Sequence, residues 1–265
     1  MWKVFYLLIF ISVIKTAGDV MGVQLEEKYL WFKMIYYGIP GLLLALHSIL
    51  TLSPKRVFLF VLLASGTGAI MEYFGLKIGA FFGGHYVYSP QITLITVPIK
   101  VIVYWAIFIY TGYCIVTSFL YWLKQKKPTI KTGNYLLLLF TVLLDGLVVV
   151  ALDLFLDPIA VRAGEWKWLE GGPYFGVPIG NFIGWLLVVV IATGIFRSIE
   201  YFFPIKEMKY NKSVLIIPVL GYGLLAVSFL IKAVRFQMFD LALVGSLLMF
   251  PIVFLNLYFY IRHKI

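Results

Sequence analysis

The sequence predicts an all-α fold, a polytopic integral membrane bundle of about eight transmembrane helices in a single domain covering residues 1–265. Hydrophobic residues make up 62% of the chain and aromatic residues 18%. Charged residues make up only 13%, whereas soluble domains contain about 25%. A soluble globule of this size has no core large enough to bury so much apolar surface. A soluble enzyme, a disordered chain and a fibrous protein are therefore excluded.

The cysteine content and the charge narrow the class further. The one cysteine, Cys114, excludes a disulfide framework and a cysteine-based metal cluster. A formal net charge of +10 is compatible with nucleic-acid binding. In a chain this apolar, however, lysines that anchor helix ends to anionic lipid explain the charge better. We therefore expect membrane lipid among the partners, and no nucleic acid.

Eight apolar segments are candidate spans, because each approaches the length of about 20 residues that crosses the hydrocarbon core. The first, residues 4–22, is the weakest, since Lys15 and Asp19 interrupt it. It could also be a signal peptide, and its loss would leave seven spans. The others are residues 34–54, 57–84, 101–123, 132–156, 171–196, 213–231 and 241–261. The segment 171–196 begins as a Gly/Pro loop that should become helical near Pro178, and Asp157-Pro158 should end the helix before it.

Basic residues indicate the orientation, because they are concentrated in alternate loops. One side of the membrane receives Lys3, Lys55, Arg56, Lys124, Lys126, Lys127, Lys131, Arg197, Lys206, Lys209, Lys212, Arg262 and Lys264. The positive-inside rule makes this side cytoplasmic. We expect a multi-pass protein of the cell membrane with both termini in the cytoplasm. The aromatic and glycine-rich loops near residues 81–98 and 158–178 should then face outward.

An internal repeat emerges when the sequence is shifted by 80 residues. Gly84 to Tyr88 then falls on Gly164 to Trp168, and Val97-Pro98 falls on Val177-Pro178. Trp105 likewise falls on Trp185. The match is either coincidence in a chain of low diversity or a parallel pseudo-repeat of two helical hairpins. Membrane proteins often place their sites where such units meet, so the second interpretation predicts a working core at residues 57–203.

Four acidic residues lie in or beside the predicted spans, where charges are costly and usually functional. They are Glu72, Asp145, Asp153 and Asp157. The three aspartates are spaced by eight and four residues, which places them on roughly one helical face. A structural role is the alternative, since Glu72 can pair with Lys77. The last two aspartates can likewise cap the helix or pair with Arg162 or Lys167, and Glu200 is expected to be an interface charge.

Aromatic and amide side chains accompany these acids. Tyr86, Tyr88, Trp166, Trp168 and Tyr174 form either an interfacial aromatic belt or the wall of a pocket. Asn181 is costly to bury without a partner, so it can orient a water or a carboxylate, or make a helix-terminal hydrogen bond. Neither His47 nor His85 has a second histidine at metal-ligand spacing, and no metal, nucleotide or serine-hydrolase signature is present.

Three blocks of residues between positions 72 and 185 form a recognisable pattern. The first contains Glu72, Gly75, Gly79, Phe82, Gly83, Tyr86 and Tyr88. The second contains Asp153, Asp157, Pro158, Trp166 and Trp168. The third contains Tyr174, Gly176, Pro178, Asn181, Phe182, Gly184 and Trp185. In these blocks the sequence resembles the CruF-type carotenoid 1′,2′-hydratases, a family of membrane proteins often labelled carotenoid biosynthesis protein.

The resemblance implies an enzyme that adds water across the terminal C1′=C2′ double bond of an acyclic carotenoid, giving a tertiary alcohol. In archaea this chemistry belongs to bacterioruberin synthesis. Such a reaction needs a protonated carboxylic acid, which an apolar environment favours, and aromatic faces that stabilise the cation. It requires no cofactor and no metal. The partners that the resemblance implies are the lipophilic carotenoid and other enzymes of the pathway.

The family-like blocks identify the expected site residues. We expect Glu72 and Asp153 to be the leading candidates for the proton donor, with Asp157 third. Asn181 would complete the catalytic group by holding the water. Substrate contacts are expected from Tyr86, Tyr88, Trp166, Trp168, Tyr174, Trp185 and His85.

Two other functions fit the same residues. A carotenoid cyclase or isomerase begins with the same protonation, but an internal alkene rather than water captures the cation. A proton-coupled carrier of a lipophilic solute would also use acids within the membrane and a repeated unit. Product mass separates the first alternative from hydration, because hydration adds one water and cyclisation adds nothing.

The orientation is tested by labelling single introduced cysteines in intact cells. A cysteine in the loop at 124–131 should react only after the membrane is permeabilised, because the positive-inside rule places that loop in the cytoplasm. A cysteine near 160–170 should react without permeabilisation. The opposite pattern of accessibility would reverse the predicted topology.

Overall fold

The computed structural model confirms the all-α membrane bundle. It describes residues 30–126, 135–204 and 212–264 as continuous stretches, together with isolated positions between 7 and 18. The helices in these stretches are α1 (Leu30–Thr51), α2 (Pro54–Ile78), α3 (Ile99–Lys126), α4 (Tyr135–Arg162), α5 (Ile179–Phe202), α6 (Ile217–Arg235) and α7 (Phe239–Lys264). Helices α2 to α7 are long and apolar enough to cross a membrane. Among the described residues of α1 the apolar stretch is Gly41–Thr51, and the candidate span at 4–22 lies outside the continuous stretches.

Four helices form a closed ring. Contacts join α2 to α3, α3 to α4, α4 to α5, and α5 back to α2. These helices come from the segment in which the sequence places the working core. Helices α6 and α7 pack on each other and against α3 and α4, whereas α1 contacts α2, α3 and α6.

The apolar core has two main parts. One fills the ring and includes Phe60, Val188 and Phe196. The other lies between the α3–α4 pair and the α6–α7 pair and includes Phe155 and Met249. Large apolar side chains remain exposed on the outward faces of α2, α4 and α7, as expected of helices whose outer surface faces lipid.

Four short strands lie at one end of the ring, which we call the loop end because it carries residues 79–98 and 163–178. They are β1 (Tyr86–Tyr88), β2 (Thr93–Leu94), β3 (Val97–Pro98) and β4 (Trp166–Trp168). Strands β2 and β3 form a small hairpin. Strands β1 and β4 pair antiparallel and join the two long loops into one ribbon.

The backbone reproduces the 80-residue repeat. Leu94 pairs with Val97 in the first loop, and Tyr174 pairs with Val177 in the second. The two residues inside each turn have positive φ: 46° and 75° at positions 95 and 96, and 52° and 87° at positions 175 and 176. Helices α3 and α5 then begin at Ile99 and Ile179. Coincidence does not account for matching turns of this rare conformation, so the two hairpins are structural repeats.

The β1–β4 ribbon indicates how the two units are related. Tyr86 pairs with Trp168, Val87 with Lys167, and Tyr88 with Trp166. A rotation that exchanges residues 80 positions apart turns the Tyr86–Trp168 pair into the Tyr88–Trp166 pair. The same rotation leaves the Val87–Lys167 pair in place. It also exchanges the α2–α5 contact with the α4–α3 contact. The four-helix ring therefore has a pseudo-two-fold axis, which runs through the ribbon at Val87 and Lys167.

The prediction that Asp157-Pro158 ends a helix is wrong. Helix α4 continues to Arg162, with Pro158 inside it. A proline in a helix removes the hydrogen bond to the carbonyl four residues earlier, which here belongs to Leu154. The hydroxyl of Tyr174 donates to that carbonyl oxygen at 3.1 Å. This side chain satisfies the group that proline leaves open, and a helix in lipid requires such satisfaction.

The role of Tyr174 in this helix can be tested with a double-mutant cycle. Tyr174→Phe should destabilise the protein by about 1 kcal/mol, since it leaves a buried carbonyl without a donor. In a Pro158→Ala background the same substitution should cost much less, because alanine restores the backbone donor. Thermal unfolding of the purified protein in detergent measures both effects. An equal loss in the two backgrounds would contradict this account of the helix.

Candidate active site

A cavity lies beneath the ribbon, between the ends of the ring helices. The space between its side chains amounts to about 470 Å³, including the part open to the outside. Part of this space is wide enough to hold a few water molecules. Eight of the site residues expected from the sequence line it: Glu72, Tyr86, Tyr88, Asp157, Trp166, Trp168, Asn181 and Trp185.

Glu72, in the last two turns of α2, is only 4% exposed. Its Oε2 accepts hydrogen bonds from the hydroxyls of Tyr86 at 2.6 Å and Tyr88 at 3.0 Å, and its Oε1 accepts one from Trp105 Nε1 at 3.2 Å. The suggested pairing with Lys77 is not formed, and that lysine is exposed. Three neutral donors thus hold the carboxyl of Glu72, an arrangement that favours its ionised form.

Both tyrosines remain protonated in this arrangement. Burial, followed by the nearby Glu72 carboxyl, raises the pKa of Tyr86 and of Tyr88 well above the ordinary value. They consequently act as donors to Glu72 at any physiological pH. Gly75, one turn after Glu72, leaves room for this contact, because a Cβ there would lie 2.6 Å from the Tyr86 hydroxyl.

Asp153 and Asp157 form a second acidic centre on α4. The side-chain amide of Asn181, at the start of α5, donates to Asp157 Oδ2 at 2.6 Å and to Asp153 Oδ2 at 3.0 Å. Both aspartates are almost fully buried, and the Oδ1 of Asp153 has no hydrogen-bond partner among the described residues. The alternatives of helix capping or pairing with Arg162 or Lys167 are not what the structure shows.

Charge balance governs the chemistry of the two centres. Glu72 is close enough to both aspartates to interact with them electrostatically. None of the described side chains that line the cavity is basic. Three adjacent carboxylates cannot all be ionised in such surroundings at a tolerable cost. Because Glu72 has three donors and the aspartates share one amide, a proton is best accommodated on the aspartate pair.

Aromatic rings form most of the remaining wall. The rings of Trp105 and Trp185, which are equivalent in the repeat, lie 4.2 Å apart between centroids. Tyr86 packs on Trp168 at 5.6 Å, and Trp168 Nε1 donates to the carbonyl of Phe82 at 2.9 Å. Tyr86 and Trp168 are buried, which supports a pocket wall rather than an interfacial belt.

Three of the expected site residues do not line the cavity. Asp153 shares the Asn181 amide with Asp157 but is not among the residues that line the cavity. The hydroxyl of Tyr174 donates to a backbone carbonyl of α4, and its ring packs against Phe182. The side chain of His85 is exposed, although its carbonyl accepts the backbone N–H of Leu169.

Four aromatic residues line the cavity although their sequence context did not indicate it: Phe82, Tyr104, Trp105 and Phe108. Trp105 was visible only as the repeat partner of Trp185. Tyr104 and Phe108 are one turn apart, and this spacing could have marked them as one face of α3.

The remaining intramembrane acids belong to a separate network at the opposite end of the ring. Asp145 binds Arg197 through two hydrogen bonds of 2.5 and 2.7 Å. Glu200 pairs with Arg56 at 3.4 Å and accepts the hydroxyl of Tyr113 at 2.9 Å. All four ring helices contribute to this network. Within the described stretches, no group of three or more His, Cys, Asp or Glu side chains is arranged to hold a metal ion.

Comparison with known proteins identifies one family. The family model described as "Carotenoid biosynthesis protein" matches residues 32–252. The matched segment includes both acidic centres, the ribbon and every ring helix. Neither a curated protein nor a solved structure matches the chain.

The network at the opposite end should contribute to stability. Asp145→Asn leaves the buried Arg197 without its counter-ion, a change that typically costs about 3–5 kcal/mol. Thermal unfolding in detergent should show a large fall in Tm. The double variant Asp145→Asn with Arg197→Met should recover much of the loss, because no unpaired charge remains. A double variant no more stable than Asp145→Asn alone would show that the charge imbalance is not the cause.

Proposed function

Because the chain belongs to the carotenoid biosynthesis protein family, we propose that it hydrates the terminal C1′=C2′ double bond of an acyclic carotenoid. Membership of this family supports a role in carotenoid biosynthesis, as the resemblance in the sequence implied. The observation that carries the proposed reaction is the pairing of two acidic centres of different character across one aromatic cavity. One centre is a single carboxyl held by three donors, and the other is a pair of carboxyls that share one amide.

The aspartate pair supplies the proton. Asp157 is the carboxyl that faces the substrate, since it lines the cavity whereas Asp153 does not. In the first step its proton is transferred to C2′, the π electrons form the new C–H bond, and a tertiary cation is left at C1′. Asp153 and Asn181 are positioning residues, since the Asn181 amide donates to both carboxyls and fixes Asp157 at the cavity wall.

Glu72 and the aromatic rings stabilise the cation. The carboxylate lies at the cavity wall, so its charge offsets the positive charge in apolar surroundings where electrostatic attraction is strong. The faces of Trp105 and Trp185 add cation–π attraction, which reaches roughly 2 kcal/mol when desolvated. Because Tyr86 and Tyr88 fix the carboxylate, the charge is already in place when the cation forms.

Water completes the reaction. The cavity has space for a few waters, and the Asp157 carboxylate and Asn181 provide polar groups beside them. Water attacks C1′, and its surplus proton returns to Asp157, so the acid is regenerated. The net change is the addition of one water, with no change in oxidation state and no cofactor.

Expression in a host that accumulates an acyclic carotenoid tests this proposal. The product should gain the mass of one water for each reacting end. In H₂¹⁸O the new hydroxyl should carry the label, and in D₂O one deuterium should appear on C2′. A product of unchanged mass with altered absorbance would favour the cyclase or isomerase, and unchanged pigment would overturn the proposed reaction.

Three isosteric variants distinguish the roles of the carboxyls. Asp157→Asn should lower hydration most, by about the 10²–10⁴-fold typical of a lost general acid. Glu72→Gln should also cause unhydrated pigment to accumulate, because it removes the charge that stabilises the cation. Asp153→Asn should have a smaller effect, since it keeps a polar group near Asn181. Pigment masses from equal amounts of membrane-inserted protein provide the measurement.

Asp240→Asn provides the matched control for these variants. Asp240 is exposed at the start of α7 and does not line the cavity, so its replacement should leave hydration unchanged. Wild-type rates in both Glu72→Gln and Asp157→Asn would refute the mechanism.

A further inference from the structure

We infer that the polyene reaches the cavity sideways from the lipid, through the seam between α3 and α4 at the loop end. The inference rests on the proposed function and names the path of its substrate. The two seams related by the pseudo-two-fold axis, α3–α4 and α2–α5, are not alike. One is open beside the acids and the other is plugged.

The exposed parts of the cavity wall all lie on one side. Most lining residues are buried, including every lining residue from α2 and α5. The partly exposed ones are Tyr88 on β1, Tyr104 and Phe108 on α3, Leu156 on α4 and Trp166 on β4. Tyr88 and Trp166 face each other at one end of the ribbon, with their ring centroids 5.6 Å apart. The mouth of the cavity is therefore bounded by that end of the ribbon and by α3 and α4.

The α2–α5 seam is closed by Phe82 and two glycines. A Cβ on Gly75 of α2 would lie 2.8 Å from the Phe82 ring, and one on Gly184 of α5 would lie 2.6 Å from it. The ring thus fills the space that the glycines leave between the helices. At the pseudo-equivalent position 80 residues later stands Arg162, which is exposed. No aromatic ring from that position plugs the α3–α4 seam.

The two seams also differ in how closely a loop backbone approaches the start of the neighbouring helix. On the plugged side the backbones touch, since a Cβ on Gly180 would lie 2.6 Å from the Cα of Gly83. The equivalent positions on the open side are Lys100 and Ala163, whose side chains prevent so close an approach. Lys100 forms an ion pair with Glu165 at 2.5 Å, and both side chains are partly exposed. Such a pair contributes only about 0–1 kcal/mol, so it can open at little cost.

The chemistry of the mouth suits a polyene. Its rim is made of aromatic and aliphatic side chains, with Tyr104 and Phe108 stacked one turn apart at 5.6 Å. Asp157 follows Leu156 directly, so an alkene end passing Leu156 arrives at the proposed donor. The rest of a long acyclic carotenoid remains in the hydrocarbon outside, which explains how a small cavity can serve a long substrate.

A matched pair of substitutions tests the path. Leu156 and Leu76 are 80 residues apart, partly buried and packed against the same core, but only Leu156 lines the cavity. Leu156→Trp should fill the mouth and lower the pigment that co-purifies with the protein by about tenfold, the scale of a modest overpacking cost. Leu76→Trp should leave the bound pigment unchanged. Size-exclusion profiles in detergent establish that both variants fold.

A second measurement does not depend on how a tryptophan packs. A benzophenone amino acid placed at position 156 should crosslink to the polyene under light, and the same group at position 76 should not. Equal loss of pigment in the two tryptophan variants, or crosslinking at 76 alone, would overturn the path even if hydration proceeds. Crosslinking at 156 without a hydrated product would support the path and refute the reaction. Absence of both bound pigment and product would overturn both.

Discussion

Carboxyl groups inside an apolar bundle must find hydrogen-bond donors within the protein, since lipid provides none. This constraint organises the loop end of the molecule. The ribbon bends back over the ring and brings the hydroxyls of Tyr86 and Tyr88 onto Glu72. The start of α5 brings Asn181 to the aspartate pair. The difference between the two sets of donors, three for one carboxyl and one for two, gives the centres their different character.

The repeat gives the two hairpins equivalent backbones, and differences between their side chains make the two seams unequal. Both units keep the same turn and begin their second helix at equivalent positions. Yet the position equivalent to Asp157 is Lys77, and the position equivalent to Asn181 is Val101. The aspartates and the mouth therefore lie on the α3–α4 side, whereas Phe82 and its glycines close the α2–α5 side. Divergent side chains on a symmetric backbone thus make the cavity asymmetric.

Much of the fold could be predicted because apolar length and basic loops are local properties of the sequence. Helices α2 to α7 were predicted from apolar length. The start of α5 just after Pro178 was predicted from the Gly/Pro loop that precedes it. The continuation of α4 through Pro158 could not be, because it depends on a hydroxyl supplied by Tyr174 from a later loop. The repeat was visible in the sequence, but the pairing of β1 with β4 was not. Antiparallel pairing reverses the order of the equivalent residues, so that Tyr86 opposes Trp168 rather than its equivalent Trp166.

The acids of the site were also predictable as a set, because buried charge in a span is rare. Their relative positions were not. Asp153 and Asp157 are one turn apart, and the sequence favours Asp153, but the packing of α5 places Asn181 against both and leaves Asp157 at the cavity wall. Trp105 was missed as a partner of Glu72, since that contact depends on how α2 packs against α3. Such information lies in the packing of helices rather than in their composition.

The grouping of donors and acids along the chain has a consequence for biogenesis. Every partner of Glu72 lies in the first hairpin, between Tyr86 and Trp105, and the partner of the aspartates lies in the second. Each hairpin can therefore leave the translocon with its loop-end carboxyls already hydrogen-bonded. The later closure of α2 against α5 forms the contacts at the opposite end, where Glu200 of the second hairpin meets Arg56 and Tyr113 of the first. Ring closure therefore completes the pairing of charge at that end.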